Sequence, residues 1–132
     1  MHDDPAQRLV DTFLTAFNTP SGDRMSELLA GAFTRDVTFW GPLGRTQGLM
    51  ALENFVTYLR GHGRGPGRMV RTSAVDAPGE WARYAWAYRD ASGAVVLDGV
   101  DMVHVRDDRI DQLVVFSGPL AARPDPDSPA GA

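Results

Sequence analysis

Residues that the sequence lacks exclude several kinds of chemistry. The chain of 132 residues has no cysteine, which excludes disulfides, thiolate metal ligands and a cysteine nucleophile. It also has no lysine, and its 13 arginines do not cluster as on a surface that binds a polyanion. No apolar run approaches the roughly 18 residues of a membrane span. Together with the net charge of −4, this leads us to expect neither nucleic acid nor a membrane as partner.

The three histidines give no sign of a metal site. His2, His62 and His104 are far apart in the sequence and show no metal-ligand spacing. We therefore predict no metal site, and we also expect that the protein uses no cofactor. The first residues, MHDDPAQ, are acidic and contain no apolar signal segment, so a cytoplasmic location is expected.

Three amphipathic helices are predicted in the first half of the chain. Asp4 and Pro5 give a good helix start, a capping carboxylate followed by proline at the first helical position. Short strands are predicted over 37–40 and 45–47, between the second helix and the third. The apolar residues at helical spacing are Leu9, Val10, Phe13, Leu14 and Phe17, then Met25, Leu28, Leu29, Ala32 and Phe33, then Leu49, Leu52, Phe55, Val56 and Leu59.

From residue 68 onward the pattern changes to alternation. It predicts strands over 68–76, 80–89, 95–106 and 109–116, and their short connections indicate an antiparallel meander. The expected fold is α+β, a cone-shaped curved antiparallel sheet with three N-terminal helices on its concave face, in the order α-α-β-β-α-β-β-β-β. Residues 1–120 are predicted to form one domain. Residues 121–132, rich in Pro, Asp and Ala, are predicted to be a disordered tail.

One carboxylate lies on an apolar face of the predicted sheet. Asp101 shares its alternation with Leu97, Val103 and Val105. An isolated buried carboxylate is costly, so it is usually paired, protonated or used in function. With Asp107 and Asp108 as the turn, the predicted opposite pairs are Val105 with Ile110, Asp101 with Val114, and Gly99 with Phe116.

The preceding hairpin is predicted to place aromatic rings beside this carboxylate. A loop with an even number of residues puts Tyr84 opposite Asp101, Trp86 opposite Gly99 and Tyr88 opposite Leu97. An odd loop would instead place Trp81, Arg83, Ala85 and Ala87 inside. The even loop is favoured because it buries more apolar area. A turn centred on Pro78 and Gly79 would then place Arg71 opposite Trp86, pointing inward.

The outer face of the sheet has its own pattern. His104 and Asp111 are predicted to be cross-strand neighbours there, with no nucleophile beside them, which favours a surface pair over catalysis. Four apolar residues make this face too apolar for water alone and predict a homodimer through the outer sheet face: Val100, Met102, Leu113 and Val115.

Three segments carry a resemblance to a known family: LVDTFLTAFN in the first helix, RDVTFWGPLGRTQG in the first strands and DGVDMVHVRDDRIDQLVVF in the closing hairpin. Over about residues 5–119 the chain resembles the nuclear transport factor 2-like superfamily, in its SnoaL-like polyketide cyclase and ketosteroid isomerase branch. The resemblance implies a cone of sheet with a pocket at its open end. Isomerases, cyclases, dehydratases and non-enzymes share this scaffold.

The family's functional positions match the chain in part. Gly41 occupies the position of the ketosteroid isomerase base, and Phe13 that of the tyrosine in the oxyanion hole. Asp101 matches the third position, an acid, and the resemblance implies that it is the catalytic acid/base. The expected substrate is a small hydrophobic, polyketide-like or enone molecule. The residues expected to bind it are Tyr84, Trp86, Tyr88, Arg71, Phe13, Phe17, Phe39 and Phe116. The alternative is a non-catalytic binding or dimerisation module on the same scaffold.

Overall fold

A computed structural model describes residues 4–41, 44–62 and 67–124 of the chain. Its helices are α1 (Pro5–Phe17), α2 (Asp23–Ala32) and α3 (Leu49–His62). Its strands are β1 (Phe33–Gly41), β2 (Gly44–Gln47), β3 (Gly67–Arg71), β4 (Trp81–Asp90), β5 (Val95–Arg106) and β6 (Arg109–Ser117). The predicted order of elements, α-α-β-β-α-β-β-β-β, is confirmed.

Helix α1 begins as its sequence predicts and is fastened to the sheet at its other end. The Asp4 side chain accepts a hydrogen bond from the Ala6 amide at 3.0 Å, and Pro5 takes the first helical position. After the helix, the Asn18 side chain both donates to the Met69 carbonyl and accepts from the Met69 amide, each at 2.8 Å. Because β3 is an edge strand, these bonds occupy backbone groups that would otherwise be open to pairing with another chain.

The six strands form one sheet in the order β2-β1-β6-β5-β4-β3. The predicted antiparallel meander of β3 to β6 is confirmed. The sheet is nevertheless mixed, because β1 runs parallel to β6. Helix α3 and strands β2 to β5 separate these two strands along the chain, and that length of chain lets β6 return beside β1 in the same direction.

The core lies between the helices and the inner face of the sheet. Apolar side chains of all three helices meet those of the strands there. Phe13 of α1 packs edge-on against Phe33 of β1, with ring centres 5.0 Å apart. The most deeply buried large side chains come from both layers and include Val10, Met25, Leu29, Val37, Leu52, Val56, Val103, Ile110 and Leu113.

The β5–β6 hairpin contains a bulge that the alternation did not reveal. Asp107 and Asp108 both have positive φ, 52° and 62°, as a two-residue hairpin turn requires, and Val105 faces Ile110 as predicted. The register then slips by one residue at Asp111, so that His104 faces Gln112.

The bulge reverses the two faces of β6 beyond it. Asp101 faces Val115 and Gly99 faces Ser117, so the predicted pairing with Val114 and Phe116 is wrong. Leu113 and Val115, predicted to point outward, belong to the buried side of the sheet. Phe116, predicted to point inward, is 58% exposed.

The register of the other two hairpins agrees with the prediction beside Asp101. Tyr84 faces Asp101, Trp86 faces Gly99 and Tyr88 faces Leu97, as predicted. Next to the loop the register slips by one residue, so that Arg89 faces Val95, which an even loop does not predict. Arg71 faces Trp86. Strand β3 is shorter than the predicted 68–76 and ends at Arg71.

Some segments of the chain lie outside the described residues. Helix α3 continues to His62, and the description resumes at residue 67. Residues 125–132 of the predicted tail also lie outside the description. The domain limits stay a prediction. Within the described ranges, none of the helices has the length and apolar character needed to cross a membrane.

Gly99 of β5 is expected to be indispensable, because it packs closely against both neighbouring strands, β4 and β6. A Cβ atom at this position would lie 2.0 Å from the Phe116 carbonyl oxygen and 2.7 Å from Cζ2 of Trp86. We expect Gly99→Ala to lower the free energy of unfolding by about 1–3 kcal/mol or more, measured by urea denaturation.

Gly31→Ala is the matched control, because Gly31 lies in helix α2 with no atom within 4 Å of its added Cβ. This change should stabilise the protein by about 0.5–1 kcal/mol. Equal effects of the two substitutions would contradict the proposed role of Gly99.

Candidate active site

A cavity of about 200 Å³ lies between helices α1 and α3 and the inner face of the sheet. The residues that line it, among those that the structure describes, are almost all apolar. Leu97, which is 45% exposed, and the exposed Ser117 mark its mouth. Six aromatic side chains line it: Phe13, Phe17, Phe39, Phe55, Trp86 and Tyr88.

Asp101 is the one carboxylate in the described lining of this cavity. Its side chain is buried, at 4% exposure. The Tyr84 hydroxyl donates to Oδ2 at 2.7 Å, and Nε1 of Trp86 donates to Oδ1 at 2.7 Å. The two donors are two residues apart on β4 and therefore share the face that the register places against Asp101.

Burial dominates the ionisation of Asp101. It raises the pKa of this carboxyl to about 7, although the hydrogen bonds from Tyr84 and Trp86 favour the ionised form and oppose the shift. Burial, and then the nearby charge of Asp101, raise the pKa of Tyr84 well above its ordinary value, so that Tyr84 remains a donor. Near neutral pH, Asp101 is therefore present in both protonation states, as general acid/base chemistry requires.

At Gly41, the position that the family resemblance assigns to a base, an aromatic ring occupies the space of a side chain. A Cβ atom on Gly41 would lie 2.6 Å from Cζ of Phe39. Phe39 in turn packs against Phe55 of α3, with ring centres 4.5 Å apart. A side chain at position 41 would therefore displace Phe39 from the cavity wall, and glycine is the residue that leaves the ring in place.

Three of the predicted site residues do not line the cavity: Arg71, Phe116 and Tyr84, which lies behind Asp101. The Arg71 guanidinium donates to both carboxylate oxygens of Asp11 on α1, at 2.9 and 3.2 Å, and to the Ser73 carbonyl at 2.7 Å. It is therefore held by α1 at the side of the sheet and is absent from the cavity lining. Phe116 lies on the outer face, because the bulge at Asp111 reverses its direction.

The predicted site residues other than Arg71 and Phe116 come together. Asp101, Trp86, Tyr88, Phe13, Phe17 and Phe39 line the cavity, and Tyr84 lies behind Asp101. The three rings of β4 do not fill the interior. Whether these residues bind a substrate stays a prediction. Helix α3 also contributes to the cavity wall, which was not predicted although its apolar stripe is visible in the sequence: Leu52, Phe55, Val56 and Leu59 all line the cavity.

A polar cluster lies on the opposite face of the sheet. Nδ1 of His104 lies 2.6 Å from Asp111, and Nε2 lies 3.2 Å from Glu80. The predicted contact between His104 and Asp111 therefore exists. The hydrogen bond to Asp111 is the main cause that raises the pKa of His104. In the part of the chain that the structure describes, no group of three or more His, Asp or Glu residues could hold a metal ion.

Comparisons with known proteins agree with this architecture. The family profile described as SnoaL-like domain matches residues 10–113. No curated protein sequence gives a significant match to the chain.

Solved structures resemble the chain at low sequence identity. A proposed isomerase of the SnoaL-like family from Agrobacterium tumefaciens strain C58 has a TM-score of 0.79 and 24% identity, over 87% of this chain and 98% of that one. A proposed ketosteroid isomerase from Kribbella flavida DSM 17836 has a TM-score of 0.66 and 20% identity, over 92% and 83%. A de novo designed protein with a curved β-sheet has a TM-score of 0.69 and 16% identity, over 90% and 89%. At these identities the likeness shows the fold.

The ionisation of Asp101 predicts how stability depends on pH. The pKa of the Asp101 carboxyl is about 7 in the folded chain, against an ordinary value of 3.8 in the unfolded chain. Between these two pH values the folded state therefore binds more protons than the unfolded state. The free energy of unfolding should therefore fall as the pH rises through this window, by up to about 4 kcal/mol, and level off above it.

Asp101→Asn, which cannot titrate, is the control. The difference in unfolding free energy between the wild type and this variant, measured in urea at several pH values, isolates the contribution of Asp101. A difference that is constant from about pH 4 to about pH 7 would show that the carboxyl keeps an ordinary pKa.

Proposed function

The chain belongs to the family of SnoaL-like domains, and from that membership we propose that it is a cofactor-independent acid/base enzyme. The proposed reaction is a cyclisation, isomerisation or dehydration of a small hydrophobic, polyketide-like or enone substrate in the internal cavity. One observation carries the proposal: the buried Asp101, held by Tyr84 and Trp86, is the one carboxylate in the described lining of an apolar cavity.

Asp101 would serve as the proton-transfer group in both directions. In its protonated form it donates to a substrate oxygen, and in its ionised form it accepts a proton from a carbon activated by a neighbouring carbonyl. The hydrogen bonds from Tyr84 and Trp86 stabilise the carboxylate when its proton has left. The apolar walls exclude water, which strengthens the interactions of the carboxyl group with the substrate.

A second candidate is a binding module without chemistry on the same scaffold. Gly41 cannot act as a base, and Phe13 cannot donate a hydrogen bond to an oxyanion. Both are favourable for a site that holds a hydrophobic ligand and does not convert it. In that case Asp101 is a hydrogen-bonding anchor.

Replacing Asp101 by asparagine distinguishes the two candidates. For an acid/base enzyme, Asp101→Asn should lower kcat by about 10²–10⁴-fold, because asparagine cannot transfer a proton. Substrate affinity should change by no more than about threefold, since asparagine keeps the shape of the group. The measurements are turnover of enone and polyketide-like compounds and calorimetric binding of the same compounds.

Asp98→Asn is the matched control, because it removes an exposed carboxylate of the same strand. It should leave both quantities unchanged. An Asp101→Asn variant with full kcat would disprove the proposed mechanism. Binding without turnover by the wild type would favour the second candidate.

We further propose that the protein is a homodimer through the outer face of its sheet. Val100 faces Phe116 across β5 and β6, and Met102 faces Val114, which in turn lies beside Trp40 of β1. Val100, Phe116 and Trp40 are 41%, 58% and 43% exposed. A second copy presents the same apolar patch and would cover it, as expected for an uncovered sheet face of this kind.

An aspartate in this patch should separate the dimer. Phe116→Asp places a charge among the apolar side chains and should weaken association by more than about tenfold, measured by sedimentation. Met50→Asp is the control, because Met50 is 76% exposed on α3, away from the sheet face. A wild type that sediments as a monomer at all concentrations, or equal effects of the two variants, would contradict the proposal.

A further inference from the structure

The cavity combines one carboxylate with six aromatic side chains and with no basic side chain among its described lining residues. The other polar members of the lining, Tyr88 and Ser117, lie toward the mouth, where Tyr88 is paired with the half-exposed Leu97. The deep part of the cavity therefore offers a ligand one acidic group and a wall of rings.

The donors beside Asp101 are already engaged. The Tyr84 hydroxyl and the Trp86 indole each donate to a different oxygen of the carboxylate. Phe13, also in the lining, cannot donate. A negatively charged ligand would therefore find no free N–H or O–H donor deep in the cavity apart from a protonated Asp101. The ionised carboxylate, in contrast, keeps unused lone pairs on both oxygens.

No cation of the described chain neutralises Asp101. Arg71 is the arginine whose charge acts on the neighbouring Tyr84, and it is paired with Asp11 of α1. Tyr84 and Trp86 face Asp101 from β4, Val115 faces it from β6, and the lining residues of α1 and α3 are apolar. A buried carboxylate without a counter-ion is unfavourable, and a ligand can supply the missing charge.

Aromatic rings favour the same kind of ligand. The faces of aromatic rings attract cations, and sites for organic ammonium ions are built from several rings. An apolar cavity of about 150 Å³ accepts benzene, so a cavity of about 200 Å³ is suited to a compound with one ring and a short substituent.

We propose that the cavity binds a small protonated amine, whose N–H group donates to Asp101 and whose apolar substituents lie among the rings. This inference concerns the ligand class of the site and does not depend on turnover, so it stands or falls separately from the proposed acid/base reaction.

The experiment compares two probes of nearly the same shape, N,N-dimethylphenethylamine and its neutral ketone counterpart benzylacetone. Binding of each is measured by calorimetry at about pH 5 and about pH 8, where the amine stays protonated while Asp101 changes from mostly neutral to mostly ionised. We expect the amine to bind at least about tenfold more tightly at the higher pH, because a proton no longer competes for the carboxylate. The ketone, which needs a donor, should bind equally or more weakly there.

Variants then assign the effect to Asp101. Asp101→Asn should weaken amine binding by about tenfold or more at the higher pH and remove its pH dependence, while ketone binding changes little. The control Asp98→Asn should leave amine binding unchanged. The proposal is overturned if the wild type binds benzylacetone as tightly as the amine at about pH 8, or if its affinity for the amine does not change with pH. Both results come from the wild-type protein, so they do not depend on whether a variant folds.

Discussion

The burial of Asp101 between Tyr84 and Trp86 is the constraint on which the rest of the site depends. A carboxylate at 4% exposure is tolerated because each of its oxygens accepts a hydrogen bond, and both donors belong to the neighbouring strand. This arrangement requires the observed register of β4 and β5. It also requires glycine at position 99, since any larger residue would collide with the neighbouring strand β6 and with Trp86 of β4.

A single inserted residue determines which side chains of β6 point into the cavity and which point to the outer face of the sheet. The bulge at Asp111 turns Val115 into the cavity wall opposite Asp101 and turns Phe116 outward, beside Val100. The same residue places the Asp111 carboxylate against His104. The inner site and the outer apolar patch therefore depend on one local feature of the backbone, as is common for bulges near functional sites.

The cavity differs from a site built around two acid/base groups and an oxyanion hole. Phe39 occupies the space in which a side chain at position 41 would lie, and Phe13 adds apolar surface to the cavity and no hydrogen-bond donor. What remains is one acid with a pKa of about 7 inside an aromatic wall. Such a group can exchange a proton with a neutral substrate or pair with a cation, and the pH at which each ligand binds separates the two uses.

The sequence by itself determined the elements, their order and the inward alignment of Asp101 with Tyr84, Trp86 and Tyr88. It did so because these features are local: helical and alternating periods, capping at Asp4, and the two-residue turn at Asp107 and Asp108. It also predicted the contact between His104 and Asp111, although for a register that the bulge changes.

Only the tertiary structure decided the features that depend on distant segments. Three features join residues that are far apart in the sequence: the parallel pairing of β1 with β6, the ion pair of Arg71 with Asp11, and the part of the cavity lining that α3 contributes. No local sequence pattern encodes them. The bulge at Asp111 is local in sequence, but alternation cannot reveal it. Residues 110–116 contain apolar side chains at both parities, and packing against β1 and the helices selects which of them are buried.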